Sequence, residues 1–429
     1  MSRYGDSWPP LSSTTRRREQ TGQSSRNSVA NLPHFPNMCY MAAVIQFIYS
    51  YTPWVQHIAA AVYSEHSIPN VPQCDPLSSA FTMHELTEAM SRTSKASGPD
   101  GISYQHLQAA TSEVHLFLLD LFNLMRKTRK VPKPLKESTL FPLVKSTQKS
   151  AKDVTNHRLI ALQQIILKVF CYILNKRAAD HIFSHQLLSP AQAGFARGRN
   201  CSEHTILLSN AVEYALEKNF PLYISFFDIA KAFPSTPICN IAHGLARLGL
   251  SAHFVELISD ILSDRVLRVQ TTAGTSSAIL PLRGTAEGSV ESPICFVSAL
   301  DVVLLTLQRD ISPVRRFFMR PVSPSEVCPS AWPHLLAYAD DINALSNSHQ
   351  GAQEQASLLS TTLSQLGWHM RAEKTHILAV GDVDRQTIPP ISLDDHQVPI
   401  KGDSGEVRQL GVHCMVQGLM RLNIRRTGT

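Results

Sequence analysis

The stretch Ala337 to Ser346, AYADDINALS, sets two adjacent aspartates, Asp340 and Asp341, at a tight turn between two strand-like apolar runs, Leu335 to Tyr338 and Ile342 to Leu345. Two carboxylates held side by side repel, and a folded chain that keeps both ionised needs a cation between them. Oxygen-only sites suit magnesium, which keeps part of its water shell and takes one or two carboxylates together with substrate phosphates. The pair therefore points to phosphoryl transfer. Aspartate is also a common turn former, so a solvated hairpin is the plain alternative.

Upstream, LYISFFDIAKAFPST (Leu222 to Thr236) puts Asp228 directly after a run of β-formers, Tyr223, Ile224, Phe226 and Phe227. Such a run reads as a buried strand whose last residue emerges at its end. If two strand ends face each other, Asp228, Asp340 and Asp341 can hold two metal ions. Those ions would activate a 3′ hydroxyl and stabilise a leaving pyrophosphate in an in-line displacement.

Further segments fall in an order that resembles a known family. FFDIAKAF, then RGTAEGSVESPICF (Arg283 to Phe296), then YADD are similar to the first three palm motifs of reverse transcriptases, most closely the LINE type of non-LTR retrotransposons. KASGPDGI (Lys95 to Ile102), FPLVK followed by NHRLIALQQIILKVFCYILNKR (Phe141 to Arg177), and LLSPAQAGFARGR (Leu187 to Arg199) resemble the family's fingers segments in their usual succession. RAEKTHIL (Arg371 to Leu378) and RQLGVH (Arg408 to His413) resemble its fourth and fifth palm motifs. The resemblance covers Lys95 to Val412. It implies an α/β chain with an α+β palm in a right-hand polymerase fold, and an enzyme that adds deoxynucleotides to a primer on an RNA template. Two magnesium ions, with manganese as a substitute, would sit on Asp228, Asp340 and Asp341.

The same blocks can be read residue by residue. Gly98 to Gly101 form a turn cluster before a helix that begins near Ser103. Lys145 ends an apolar strand, Leu140 to Val144, and Arg158 stands a little further on, so the two are candidate donors on facing strands of a fingers hairpin. The arginine fork bonds phosphate oxygens in pairs, and the resemblance assigns Arg158 to the incoming nucleotide. Either residue alone also fits a surface charge. The helix Gln164 to Arg177 carries an apolar face through Ile166, Phe170, Ile173 and Leu174. Its Lys168, Lys176 and Arg177 leave a basic face, either solvated or tracking a nucleic-acid backbone.

By resemblance, Phe233 lies under the sugar of the incoming nucleotide and excludes a 2′ hydroxyl. Lys374 lies near the pyrophosphate. Gln409, Leu410 and Gly411 form the primer-grip hairpin. Duller readings are a core phenylalanine and a surface lysine. The second palm motif departs from the family: Glu287-Gly288 stands where the family has Gln-Gly, placing an acid beside the nucleotide. An unpaired carboxylate there would weaken nucleotide binding by on the order of 1 kcal/mol, and Arg283 is the expected partner. Leu159 and Pro234 are further departures. Together they favour the alternative reading, a catalytically inactive or decaying relative that binds structured RNA as a maturase does.

The chain has 429 residues, 43% hydrophobic and 17% charged, with a net charge of +6, enough to bury a large core and consistent with a nucleic-acid partner. Basic residues cluster at Arg16 to Arg18, Arg126 to Lys136, and Arg315 to Arg320. The eight cysteines form no CxxC and no zinc-ligand spacing, as in a reduced intracellular protein, nuclear or cytoplasmic. His181 and His185 share a helix face and read as ordinary surface histidines. The apolar stretch Cys39 to Tyr63 is interrupted by polar residues and Pro53, which favours core or partner-facing helices over a membrane span, and no signal peptide is visible.

The expected organisation is a disordered Ser/Thr/Arg-rich arm over 1–36, a helical lead-in over 37–91 and fingers over 92–220. The palm follows over 221–378, then a palm end and primer-grip hairpin over 379–429, with a strand pair from Ile391 to Cys414. A proline-rich loop, Pro313 to Pro333, joins the second and third palm motifs. The thumb is expected to be largely missing. A separate endonuclease or thumb-bearing polypeptide would then accompany the RNA template, the DNA or RNA primer and the deoxynucleotides.

Overall fold

The computed structural model describes residues 55–68, 71–92, 96–150, 152–311, 333–384, 388–401, 406–409 and 412–415. The arm over 1–36, the loop over 313–332 and the basic clusters within both lie outside the described residues.

The first helices are α1 (Val55–Glu65), α2 (Met83–Met90), α3 (Tyr104–Gln108) and α4 (Ser112–Thr128). α2 starts on a reciprocal cap, in which the Glu85 N–H donates to the Thr82 hydroxyl while the Thr82 N–H donates to the Glu85 carboxylate. A hairpin of β1 (Glu137–Val144) and β2 (His157–Gln163) follows, then α5 (Ile165–Ser184), α6 (Cys201–Glu217) and β3 (Leu222–Asp228). Next come α7 (Ala232–Ser235), α8 (Ile238–Arg247), α9 (Ala252–Leu262), β4 (Val266–Thr271), β5 (Gly274–Thr275) and α10 (Ser292–Asp310). The remainder is β6 (Leu335–Tyr338), β7 (Asp341–Ser346), α11 (His349–Gln365), β8 (His376–Val380), β9 (Ile391–Leu393), β10 (His396–Val398), β11 (Ile400–Lys401), β12 (Glu406–Gln409) and β13 (Val412–Met415).

The main sheet has the order β11-β8-β3-β7-β6, with β3 at its centre and antiparallel to both neighbours. β3 is buried along its length up to Asp228, because its alternate residues feed two cores. Tyr223 and Phe227 join Ile342 and Ala344 against α11, through Ala352, Ala356, Leu359 and Leu363. Leu222, Ile224 and Phe226 join Leu336 and Leu345 against α6, through Leu208, Ala211 and Ala215. A second sheet, β2-β1-β4-β5, has its own small core of Leu140, Ala161, Leu267, Val269, Ile279 and Ala286. α10 is long and apolar enough to cross a membrane by composition, yet most of it is enclosed by the protein.

Three expectations need correction. α5 has no basic face to offer a nucleic acid. Lys168 is buried and reaches the Ala96 carbonyl, Lys176 binds the Glu88 carboxylate at 2.5 Å, and Arg177 binds Glu85 and the carbonyls of Pro76, Ser79 and Ala80. These cations tie α5 to α2 and the segments on either side of it. His181 is not a surface residue: it is buried, with Nε2 2.9 Å from the Leu248 carbonyl, whereas His185 is exposed. The strand pair expected from Ile391 to Cys414 is two separate hairpins, β9/β10 and β12/β13, with β11 pairing parallel to β8 between them. The Arg126 to Lys136 cluster is also engaged within the protein, Arg129 with Glu256 and both Lys130 and Lys136 with Asp260.

Below the main sheet, Arg247 of α8 and Asp301 of α10 form a buried ion pair, and Asp301 also accepts the Ser189 N–H at 2.7 Å. Removing one member of such a pair strands the other charge. Arg247→Met is expected to lower unfolding stability in urea by about 3–5 kcal/mol, and Arg247→Met with Asp301→Leu to recover most of that loss. A single variant as stable as the wild type would mean that Asp301 is held neutral.

Candidate active site

The backbone ladder between β3 and β7 runs from Tyr223↔Ser346 to Asp228↔Asp341, so the last residue of one strand faces the first of the other. Directly paired residues point to the same side of a sheet, and Asp228 and Asp341 therefore share a face. β6 and β7 pair as far as Tyr338↔Asp341, which leaves Ala339 and Asp340 as a two-residue turn. Ala339 adopts φ 57°, a left-handed conformation rare for a residue with a β-carbon. The three aspartates thus lie at one end of the central strands.

Their surroundings are cationic. The Arg371 Nε lies 2.9 Å from Asp228 Oδ2, an ion-pair contact that lacks hydrogen-bond alignment, and Lys374 Nζ lies 3.9 Å from Oδ1. The Arg371 N–H donates to the Asp228 carbonyl at 2.9 Å, and the Ala230 N–H donates to that of His369, so the chain around Met370 extends the β3 edge. The Lys145 ammonium, at the surface but crowded, is held below the ordinary lysine value by desolvation first and then by the Arg371 and Lys374 cations. Lys145 and Arg158 flank the loop end of the β1/β2 hairpin, where the Lys145 N–H bonds the Asn156 carbonyl and Leu143 pairs with Arg158. Arg371 was not singled out from the sequence, although it opens the RAEKTHIL block; nothing local marks it as a partner of Asp228.

Burial first, and then the Asp228 charge, push the Asp340 carboxyl above the usual aspartate range, against its own backbone N–H, Arg158 and Arg371. Glu287 is also raised, by burial, while Arg158 and Lys145 pull it down and Asp340 adds to the rise. The partner of Glu287 is Arg158, with Nε 3.1 Å from Oε2. Arg283 does not play that part: its buried guanidinium donates to the carbonyls of Ser235 and Gly367. The Glu287 carbonyl accepts the Ala161 N–H of β2 at 2.7 Å, and Gly288, at φ 100°, has no room for a β-carbon, which would stand 2.9 Å from the Ala161 oxygen. The Glu287-Gly288 step is therefore pressed onto the strand that carries Arg158.

Phe233, in the short helix α7, stacks on Phe296 with ring centroids 4.5 Å apart and meets the half-exposed Phe195 edge-on at 6.2 Å. Gln409 ends β12, and its pairing with Val412 leaves Leu410 and Gly411 as the connecting pair, which lie outside the described residues.

Among the described residues, no three His, Cys, Asp or Glu side chains stand close enough to grip a metal ion as placed. The donor chemistry nonetheless fits a hard cation. The three groups offer only carboxylate oxygens, and Asp228 Oδ2 is buried with no hydrogen-bond donor aligned on it.

The family model for reverse transcriptase (RNA-dependent DNA polymerase) matches residues 147–414, a span that contains Asp228, Asp340 and Asp341. The chain belongs to the reverse transcriptase family. It is similar to the Pol polyprotein of a type-1 R2 retrotransposable element of Nasonia vitripennis, 25% identical over 347 residues, and to that of the type-2 element R2DM of Drosophila melanogaster, 22% identical over 353 residues. Each alignment covers 80% of this chain and 31% of the relative, so the chain spans about a third of their length. The type-1 R2 polyprotein of Popillia japonica is 24% identical over 74% of this chain. The three relatives are all R2 elements, in keeping with a reverse transcriptase domain of the non-LTR type. The family implies a palm-type polymerase fold, which the mixed sheet and its packed helices match, and its members generally use divalent metal ions.

The carboxylate cluster has a thermodynamic signature. Because the folded state raises the Asp340 pKa, an ionised Asp340 costs stability, and that cost grows as pH rises from the ordinary aspartate value through the folded one. Asp340→Asn is therefore expected to melt above wild type in EDTA at neutral pH, with the gap closing near about pH 4. Added magnesium should raise the melting temperature of the wild type more than that of the variant. A variant that melts lower than wild type at neutral pH would show that Asp340 is not under like-charge strain.

Proposed function

We propose that this chain is the catalytic core of an RNA-directed DNA polymerase that extends a primer 3′ hydroxyl with deoxynucleotides on an RNA template. The observation that carries this reading is the Asp228↔Asp341 pairing with Asp340 in the adjoining turn, set against Arg371, Lys374 and Lys145. Asp228, Asp340 and Asp341 would hold two divalent ions, which when bound supply Lewis-acid activation of the hydroxyl and charge neutralisation on the leaving pyrophosphate.

The other roles belong to the chain's own side chains. Arg158 and Lys145 steady the triphosphate, Arg371 and Lys374 neutralise negative charge beside the carboxylates, and Phe233 floors the sugar pocket. Gln409, Leu410 and Gly411 contact the primer end. In this reading 92–220 is the fingers and 221–378 the palm. A separate endonuclease or thumb-bearing polypeptide belongs to this reading as a proposed partner.

The Glu287–Arg158 pair favours a second reading, a reverse-transcriptase-like protein that binds RNA without synthesis, because Arg158 is engaged where a phosphate would lie. Primer extension on a homopolymer RNA template with magnesium separates the two. The expected result is product with deoxynucleotides and not ribonucleotides, reduced on the order of 10²–10³-fold in Asp340→Asn or Asp341→Asn. Template binding without extension would favour the second reading. Glu287→Gln should release Arg158 and lower the deoxynucleotide KM by about fivefold to tenfold, roughly 1 kcal/mol. An unchanged KM would remove Glu287 from the nucleotide site.

A further inference from the structure

We infer that Gln192 is the positioning residue that sets the Asp340-Asp341 turn, an inference that rests on the catalytic reading of those aspartates. The segment Ala191 to Gly194 lies along β6 as a short parallel partner. The Ala337 N–H donates to the Ala191 carbonyl and the Ala193 N–H to the Ala337 carbonyl, each at 2.8 Å. The Gln192 side chain, 2% exposed, reaches the turn itself. Its Oε1 accepts the Ala339 N–H at 2.8 Å and its Nε2 donates to the Ala339 carbonyl at 3.3 Å. The same Oε1 accepts the Gly194 N–H at 2.8 Å, which fixes the amide from its own side.

One amide therefore satisfies both backbone groups of the residue immediately before Asp340. That residue is the one the turn forces to φ 57°, a conformation an alanine keeps only when its surroundings over-determine it. Ala339 is also buried, so its N–H and C=O have little water to fall back on. Gly194 completes the fit, since a β-carbon there would stand 2.1 Å from the Ala339 nitrogen. The clamp opposes a definite force: Asp340 and Asp341 follow it directly and face Asp228, and their mutual repulsion favours opening the turn.

The segment also has a second end. Arg199 donates to the Pro190 and Gln192 carbonyls, and Phe195 meets Phe233 edge-on, so the strip that clamps the aspartate turn also borders the ring proposed for the sugar pocket. The amide provides both a donor and an acceptor to the backbone of one residue; a glutamate keeps the acceptor and sets a negative oxygen against the Ala339 carbonyl.

The test uses the full chain with Gln192→Met, which keeps the side chain's size, and Gln192→Glu, which keeps the acceptor, beside Asp340→Asn. Manganese binding is read by electron paramagnetic resonance and steady-state kinetics by primer extension. Gln192→Met is expected to weaken manganese binding by about tenfold or more and to lower kcat by about 10–100-fold, with deoxynucleotide KM changed less than about twofold. Gln192→Glu should fall between it and wild type. Arg177→Met, which acts at the α5–α2 contact, is the control for simple loss of stability. Manganese affinity and kcat like wild type in Gln192→Met, or losses no larger than those of Arg177→Met at equal melting temperature, would overturn the inference. If the wild type binds manganese through Asp340 but extends no primer, the polymerase reading fails while the binding series still decides for or against Gln192. A wild type that binds no manganese overturns both.

Discussion

The arrangement of the whole site follows from one constraint, the hydrogen-bond register between β3 and β7. Strand registers change in whole residues, and a slip of one would turn every side chain of β7 to the opposite face. Phe226 and Ile224 on β3, with Leu345 on β7, are committed to the core under α6, and Tyr223, Phe227, Ile342 and Ala344 to the core under α11. Burial on both faces thus locks the register, and the register places Asp228 opposite Asp341. Hydrophobic packing holds together two charges that would otherwise separate.

A carboxylate cluster so fixed shapes what can surround it. The chain answers with Arg371 and Lys374 beside Asp228 and with Lys145 and Arg158 on the β1/β2 hairpin. Arg158 is itself bound by Glu287, so the cations are not equivalent: Arg371 contacts an aspartate, whereas Arg158 is held by a glutamate.

How much of this could be read from the sequence depended on the range of the interaction. β6 has the bounds expected from its apolar run, because strand pattern and turn punctuation are local signals. The facing of Asp228 and Asp341 is anticipated, though not required, by the sequence, because each aspartate adjoins a run of β-formers that reads as a strand. What was not legible depends on partners distant in the chain. Lys176 and Arg177 look solvated until Glu88 and Glu85 are set beside them, and Arg283 looks available until the Ser235 and Gly367 carbonyls claim it. Gln192 lies unmarked within LLSPAQAGFARGR, since an amide that serves the backbone of Ala339 has no signature in spacing or charge.

The pairing of Glu287 with Arg158 biases the order in which this lineage can change. Loss of Arg158 while Glu287 remains would leave a half-buried carboxylate near Asp340 with Lys145 as its remaining cation, a step disfavoured electrostatically. Exchange of Glu287 for a neutral amide leaves Arg158 at the edge of solvent, where an unpaired guanidinium is tolerated. Descent from this sequence therefore favours one order: loss of the acid before loss of the arginine.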